Sequence, residues 1–490
     1  MNQGKNYLQA VWLGISSLSS ILLSILSAAI LSRYFNKIEY GTYKQILYVY
    51  STLVVFFTAG LPNIFAYFLP KYSINEGKRI VGHITKILGI LGVFFSIFLY
   101  VFAPQISTLL NNKDLIQGLR IFSPVPIFLL PTLGIEGIFA TYKKTQYLIF
   151  FNILTKLFTL ACVVLPIVLI QNNYIYAIYG WLGSSIFTFI IAIYFKYLPF
   201  KGINGIGSSL KTIEVLKYSL PIVIATIWGM AIKAADQFYI SRYFGPEVYA
   251  EYSNGFMEIP FVGIITSTAA TILMPEFSRI FSTDFDMNKL CLLFKSAVLN
   301  SSSIIYPIVI FFFFNSDFLM TLLYSNAYMK SGVYFKINLI LNFFNVIIFS
   351  PLLFALGKTT FYSFLHLGAA LLSWILGYII IINFETPISI AILSVSINIL
   401  MVLAALVYSA HVLKVKVSFL IPILPLIKIL FHSGTIGLLV NLLISKLVVT
   451  SFENVLFNLV SYALIVLISA PLFKIDYLVL VRPIFAKFKI

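Results

Sequence analysis

The chain consists of about fourteen long apolar segments in succession, separated by short polar connections. A helix needs roughly 20 mainly apolar residues to cross the hydrocarbon of a bilayer. Hydrophobic residues make up 60% of the 490 residues and charged residues only 10%, whereas a soluble domain has roughly 25% charged residues. The sequence therefore predicts an all-α integral membrane protein. We expect spans at about 8–31, 46–69, 82–103, 118–141, 148–170, 174–197, 214–240, 255–275, 290–314, 333–356, 361–383, 386–409, 419–445 and 454–475.

The formal net charge of +17 is spread over the short connections between these segments. Alternate connections hold nineteen basic residues on one side, with Lys196 counted among them, and seven on the other. Basic residues accumulate on the cytoplasmic side of membrane helices, so both termini are expected in the cytoplasm. This distribution argues against nucleic-acid binding. Cys162 and Cys291 lie in apolar segments and the four histidines lack metal-ligand spacing, so neither a metal site nor a cofactor is predicted.

Short motifs recur between the two halves of the chain, at the same places between spans. The sequence Ser-Arg-Tyr-Phe containing Arg33 ends the first span and returns around Arg242, and Tyr40 is matched by Tyr249 at the same offset of 209. The equivalent motifs lie six spans apart, which indicates a parallel repeat. Such repeats are found in transporters. We therefore predict an N-terminal lobe at 1–200 (spans 1–6), a cytoplasmic linker at 201–213, a C-terminal lobe at 214–410 (spans 7–12), and two further spans with a basic cytoplasmic tail at 411–490.

A small and polar face runs along the first span and its repeat equivalent. Its serines recur at spacings of three and four residues, which places them on one side of a helix. They are Ser17, Ser20, Ser24 and Ser27. The equivalent face of the seventh span has Lys233 and Asp236. Two interpretations stay open for the serines, close helix packing or a substrate cavity; Lys233 and Asp236 either form an i,i+3 pair or line that cavity.

Other ionisable residues fall inside predicted spans. A Lys or Asp at the bilayer centre costs roughly 2.5–3.5 kcal/mol even on insertion scales, so such residues face a bundle interior or a wet cavity. The deeper candidates are Glu136, Lys156, Glu258 and Lys295. Within the predicted spans, counting residues near their ends, seven basic residues stand against three acidic ones. This balance favours an anionic passenger.

The motifs at the span ends resemble those of a known family. The serine-rich first span with its Ser-Arg-Tyr-Phe end, the Glu-Tyr-Gly at 39–41 and the Gly-Leu-Pro at 60–62 are similar to the Wzx-type polysaccharide flippases. These belong to the multidrug/oligosaccharidyl-lipid/polysaccharide (MOP) superfamily. The resemblance covers roughly residues 1–410 and implies two six-helix lobes, a cavity lined partly by spans 1 and 7, and alternating access.

The resemblance also implies a passenger and partners. The passenger would be an undecaprenyl-diphosphate-linked oligosaccharide, moved from the inner to the outer leaflet of the bacterial cytoplasmic membrane for O-antigen, capsule or exopolysaccharide export. Implied partners are membrane lipids and the polysaccharide polymerase and chain-length machinery, with coupling to H⁺ or Na⁺ left open. In the superfamily's peptidoglycan-precursor flippases, first-span arginines contact the diphosphate. Here the first arginine is Arg33, at the outer end of the span, which argues against a peptidoglycan role.

Two other functions compete with this interpretation. A multidrug or cation antiporter of the same superfamily would use Glu136, Asp236 and Glu258 to bind protons or sodium. A membrane-embedded glycosyltransferase or polymerase would need a large extramembrane loop or a concentrated acidic cluster, and the longest connections here have only about twenty residues. We therefore expect a transporter without catalytic residues rather than an enzyme.

Overall fold

The computed structural model describes residues 2–58, 60–205, 210, 212–282, 286–444 and 452–477. Within these ranges the ordered elements are helices and no β-strand occurs, which confirms the predicted all-α fold. The chain divides into two compact units, Met1–Ala250 and Glu251–Ile490. Part of the predicted linker and the basic tail after Tyr477 lie outside the described residues.

The first unit is built around extensive contacts of α8 with α1 and with α9. Its last helix, α10, bends at Gly245, whose φ of 79° lies in the left-handed region that favours glycine, and ends in the second unit. The helices are α1 (Asn2–Tyr34), α2 (Lys37–Thr58), α3 (Ile64–Phe68), α4 (Ile74–Leu109), α5 (Leu115–Phe122), α6 (Val125–Leu129), α7 (Ile135–Thr141), α8 (Gln146–Leu169), α9 (Tyr174–Tyr197) and α10 (Thr212–Gly255).

The second unit has the remaining helices. They are α11 (Pro260–Ser282), α12 (Met287–Phe314), α13 (Ser316–Tyr324), α14 (Ser331–Asn345), α15 (Phe349–Ala355), α16 (Thr359–Phe384), α17 (Pro387–Val412), α18 (Val417–Leu420), α19 (Ile423–Ile444) and α20 (Phe452–Ser469). Helix α17 packs against α14, α15 and α16, while α12 packs against α11 and α14. The two helices beyond the predicted repeat, α19 and α20, pack against each other and against α12.

Over the described ranges, twelve helical segments are long and apolar enough to cross a membrane. They correspond to all the predicted spans except 46–69 and 214–240, which fall on α2 with α3 and on α10. The second predicted span is interrupted after Thr58. The protein is a multi-pass membrane protein. That α2 and α10 also span the membrane stays a prediction.

The two units repeat the same helix pairings, each within itself. In the first, α9 packs against α6, α7 and α8; in the second, α17 packs against α14, α15 and α16. The corresponding connections also each contain a residue with positive φ. A left-handed residue follows α4 at Asn111 and α13 at Ser325, and another follows α7 at Lys143 and α15 at Gly357. Each unit therefore has positive-φ residues in the connections after corresponding helices.

Two interrupted spans meet in the core of the first unit. Gly60 (φ 66°) follows the break after α2, and Gly134 (φ 82°) precedes α7. Helices α3 and α7 pack together there. A Cβ atom on Gly134 would collide with the ring of Phe65 and lie 3.0 Å from the carbonyl oxygen of Pro62. Glycine at this position therefore satisfies both a backbone conformation and a close contact.

We expect Gly134→Ala to lower the free energy of unfolding by about 3 kcal/mol, because it combines left-handed strain with overpacking. The matched control is Gly202→Ala, where φ is 76° but a Cβ meets no atom within 4 Å; strain alone should cost about 1 kcal/mol. Unfolding of the detergent-solubilised protein measures both values. Equal losses in the two variants would show that the Phe65 contact has no energetic importance.

Candidate functional site

Helices α1 and α8 are joined by hydrogen bonds near both ends. The amide nitrogen of Asn152 donates to the hydroxyl of Ser16 over 2.7 Å, and that hydroxyl donates to the carbonyl oxygen of Leu148 over 3.3 Å. At the other end, the side-chain amide of Asn172 donates to the carbonyl oxygen of Tyr34. Because the partners follow the same order along both segments, α1 and α8 run parallel.

Lys156 lies close to the middle of α8. It follows Gln146 by ten residues and precedes Leu169 by thirteen, or roughly 15 Å and 20 Å at 1.5 Å per residue. It comes four residues after Asn152, so both side chains lie on the face of α8 toward α1. The side chain of Lys156 is half-buried. The parallel pairing of the helices puts it at the level of Ser20.

The four predicted serines of α1 are accessible to different degrees. Ser17 and Ser24 are exposed, and Ser20 and Ser27 are half-buried. Ser24 donates to the carbonyl oxygen of Ser20 over 2.9 Å. The buried hydroxyl that packs against α8 is instead that of the neighbouring Ser16. The sequence identified a polar face, and the structure assigns close packing to a different serine.

On α10 the two predicted charges differ in environment. Lys233 is exposed, whereas Asp236 is only 8% exposed. Next to them, Gln237 donates through its side chain to the carbonyl oxygen of Lys233 over 3.1 Å and accepts from the hydroxyl of Tyr249 over 2.9 Å. The Tyr48 hydroxyl donates to the carbonyl oxygen of Ala234 over 3.0 Å. The repeat residue Tyr249 thus belongs to the same polar cluster as Asp236.

The other repeat-motif residues have structural contacts. Tyr40 is fully buried, and the ammonium of Lys44 lies 5.3 Å from its ring centre. Arg242 donates to the carbonyl oxygen of Leu109 over 2.5 Å. Arg33, its repeat equivalent, is exposed.

The remaining candidates are dispersed. Glu136 is exposed in the first turn of α7. In the second unit, half-buried Lys295 lies with its ammonium 5.1 Å from the ring centre of Phe419. The expectation that Glu258 lies inside the eighth span is wrong, because α11 begins only at Pro260, and proline favours the first helical position. Glu258 lies in the preceding connection, where it is exposed.

A known protein family matches the first half of the chain and the beginning of the second. Residues 9–281 match the polysaccharide biosynthesis protein family. The chain belongs to this family. Membership confirms the resemblance to polysaccharide flippases found in the motifs. No curated protein matches the chain.

Solved structures with the same fold are transporters of the MOP superfamily. The lipid II flippase MurJ, in an inward closed conformation, matches with a TM-score of 0.72 and 17% identity over 94% of this chain and 98% of MurJ. A MOP superfamily transporter from Pyrococcus furiosus matches with a TM-score of 0.59 and 14% identity, over 83% of this chain and 94% of that one. The Vibrio cholerae MATE transporter VcmN matches with a TM-score of 0.57 and 14% identity, over 84% of this chain and 97% of that one. This member of the polysaccharide biosynthesis protein family therefore has a MOP transporter fold.

Sequence reasoning missed Lys196 in this family member. From the sequence, Lys196 was counted among the basic residues of the connections. In the structure it is part of α9 and fully buried. Its ammonium donates to the carbonyl oxygens of Pro131 and Leu133 over 2.6 and 2.7 Å and lies 5.3 Å from the ring centre of Phe65. The two carbonyls belong to the interruption ahead of Gly134, where helical donors are missing. The prolines and the glycine of that interruption were visible in the sequence. They could have indicated that carbonyl groups there lack helical donors and need a side-chain donor.

In the part of the chain that the structure describes, His, Cys, Asp and Glu side chains form no group of three that could hold a metal ion. Among the ion pairs of the described residues are those of Lys37 with Glu247, Arg279 with Glu276 and Lys336 with Asp317. None of these pairs includes Lys156.

We expect Lys196→Met to lower the free energy of unfolding by about 3 kcal/mol, because two buried carbonyls lose their donor. Lys201→Met is the matched control: Lys201 is exposed five residues later, and its replacement should change stability by less than about 0.5 kcal/mol. Both are measured by unfolding in detergent. A Lys196→Met protein as stable as the Lys201→Met protein would contradict the structural role of this ammonium.

Proposed function

We propose that the protein is a flippase that moves an undecaprenyl-diphosphate-linked oligosaccharide from the inner to the outer leaflet of the bacterial cytoplasmic membrane. Two findings support the proposal: membership of the polysaccharide biosynthesis protein family over residues 9–281, and a fold shared with MOP transporters, among them a lipid II flippase. Export would serve O-antigen, capsule or exopolysaccharide. The positive charge bias of alternate connections supports cytoplasmic termini.

The observation on which this proposal depends most is the position of Lys156. It is a half-buried cation near the middle of an apolar helix, at the level of the serine face of α1. A cation at such depth is costly without an anionic counterpart. The diphosphate of the passenger would supply that counterpart, since attraction between charges strengthens where water is scarce. Serine hydroxyls alongside would donate hydrogen bonds to phosphate or sugar oxygens.

The same features fit transport by alternating access. The diphosphate and sugar would occupy the polar face of α1 with Lys156 and Lys233, while the polyprenyl chain stays in lipid. Asp236 and Glu136 are the acidic groups available for coupling to H⁺ or Na⁺.

We expect Lys156→Met to reduce polysaccharide export at least tenfold at unchanged protein abundance, because a charge-assisted hydrogen bond to phosphate contributes about 1.5–3 kcal/mol. Lys428→Met is the matched control, since Lys428 is an exposed lysine in the apolar helix α19, beyond the predicted repeat. Surface polysaccharide is quantified in a deletion strain complemented with each variant. Normal export by Lys156→Met would remove Lys156 from the substrate site.

The second cation is tested separately. Lys233→Ala should also abolish export without lowering protein abundance, since Lys233 is an exposed cation on the helix equivalent to α1. Export at the wild-type level would exclude Lys233 from the passage.

A multidrug or cation antiporter is the alternative, and one observation favours it. Asp236 is a carboxylate only 8% exposed in α10, a suitable place for a proton or sodium ion, and MATE transporters share the fold. A deletion strain that becomes drug-sensitive while its surface polysaccharide stays intact would support the antiporter and contradict the flippase.

A further inference from the structure

The third span of each predicted repeat copy has one face whose surroundings differ between the two units. Helix α4 corresponds to α12, because the Thr-Leu-Leu at 108–110 recurs at 321–323. This offset of 213 matches three residues on one side of α4 with three on one side of α12. The matched pairs are Phe94 with Pro307, Ile97 with Ile310 and Val101 with Phe314.

In the second unit this face of α12 is covered by the two helices beyond the predicted repeat. A Cβ atom on Gly437 of α19 would lie 2.9 Å from side-chain atoms of both Ile310 and Phe314. The hydroxyl of Tyr462 in α20 donates to the carbonyl oxygen of Pro307 over 3.1 Å. Ile310 is accordingly only 5% exposed.

The corresponding face of α4 is exposed. Phe94, Ile97 and Val101, which we call the α4 face, are 60%, 55% and 53% exposed. Within the described part of the first unit, α4 packs against α2, α5 and α6, and none of these helices covers the α4 face. Helix α4 is long and apolar enough to cross a membrane, and lipid chains are as apolar as these side chains. Lipid chains therefore suit the α4 face as a cover.

A cation lies beside the α4 face. The guanidinium carbon of Arg120 in α5 lies 5.4 Å from the ring centre of Tyr100 in α4, and both side chains are exposed. In the part of the chain that the structure describes, no carboxylate pairs with Arg120. The offset of 213 places Val333 at the corresponding position of the second copy. This charge is therefore specific to the first copy and available to a ligand.

The exposed side chains become polar just beyond the level of Arg120. Toward the end of α4, Gln105 and Thr108 are exposed. On α5, Gln117 precedes Arg120 by three residues and is exposed on the same side of the helix. Lys113, in the connection between the two helices, is exposed as well. Arg120 and its aromatic neighbour therefore lie at the boundary between lipid chains and headgroups, where tyrosine and long basic side chains accumulate in membrane proteins.

We propose that this edge of the first unit binds one anionic phospholipid, whose phosphodiester pairs with Arg120 while its acyl chains lie along the α4 face. The planar guanidinium can donate two parallel hydrogen bonds to phosphate oxygens, and the ring of Tyr100 stabilises its charge. The site prefers an anionic lipid to a zwitterionic one, because Lys113 adds a second positive charge near the headgroup. The lipid belongs to the leaflet that the charge distribution predicts to be the outer one. It would bind whichever substrate the protein transports.

The first test identifies the lipid on the α4 face. A photoreactive benzoylphenylalanine replaces Ile97, and the protein is reconstituted in vesicles of equal parts phosphatidylglycerol and phosphatidylcholine. Mass spectrometry of the illuminated protein gives the ratio of the two cross-linked lipids. The control carries the same residue in place of Ile375, which is 56% exposed in α16, a helix without Lys or Arg.

We expect phosphatidylglycerol to be enriched at least about threefold at position 97, because a basic residue near the headgroups attracts anionic lipid. At position 375 the ratio should equal that of the vesicles. Equal ratios at the two positions would overturn the proposal. The vesicles contain no polysaccharide precursor, so the result does not depend on the proposed flippase function.

The role of Arg120 is tested in the same vesicles. Arg120→Gln should lower the ratio at position 97 to that at position 375, because the amide is neutral. Arg279→Gln is the matched control: it removes an arginine that is already paired with Glu276 and should leave the enrichment unchanged. Enrichment that persists in Arg120→Gln protein would contradict the phosphate contact. If that variant does not accumulate, the ratios at positions 97 and 375 in the otherwise unchanged chain decide.

Two further outcomes would assign the α4 face to another occupant. Cross-linking of position 97 to a second copy of the chain, in place of lipid, would show a protein interface and overturn the lipid site. Excess inorganic phosphate in the buffer should leave the enrichment unchanged, because the acyl chains contribute to binding. Loss of the enrichment would indicate a site for free phosphate and likewise overturn the proposal.

Discussion

Within a bilayer every backbone polar group needs a partner inside the protein, because the hydrocarbon offers none. Continuous helices meet this requirement by themselves, and most of the described chain is helical. The informative places are the interruptions, where carbonyls lose their helical donors. In the first unit, Lys196 takes over at the break ahead of Gly134 by donating to Pro131 and Leu133. A buried charge is thus explained by backbone chemistry rather than by a ligand.

The same requirement separates the two kinds of intramembrane cation in this protein. Lys196 has two carbonyl acceptors and an aromatic ring around its ammonium, so its charge is satisfied by the fold. Lys156, half-buried near the middle of α8, has no place in the described ion pairs. Under the proposed flippase function, the anionic passenger would be the counterpart of that second cation.

Hydrophobic segment length was sufficient to predict the all-α membrane fold. Recurring motifs predicted a repeat, and the similar helix pairings within each unit support that prediction. Helical spacing also found the polar face of α1. It could not show that Ser16, one residue away, makes the packing contact, because spacing defines a face without naming its neighbour. Lys196 was missed for a related reason. Its partners lie 63 and 65 residues away in the chain, and periodicity within one segment contains no information about such contacts.

The pairing of α1 with α8 has a consequence for biosynthesis. Asn152 follows Ser16 by 136 residues, so at a synthesis rate of about 5–20 residues per second the ribosome needs roughly 7–27 s to supply the partner. Throughout that interval three intervening spans are made while the first helix has neither Asn152 nor α8 beside it. Before Asn152 emerges, the serine hydroxyls of the nascent first helix therefore need temporary hydrogen-bond partners. Lipid headgroups, the insertion machinery or the helices made earlier would supply them.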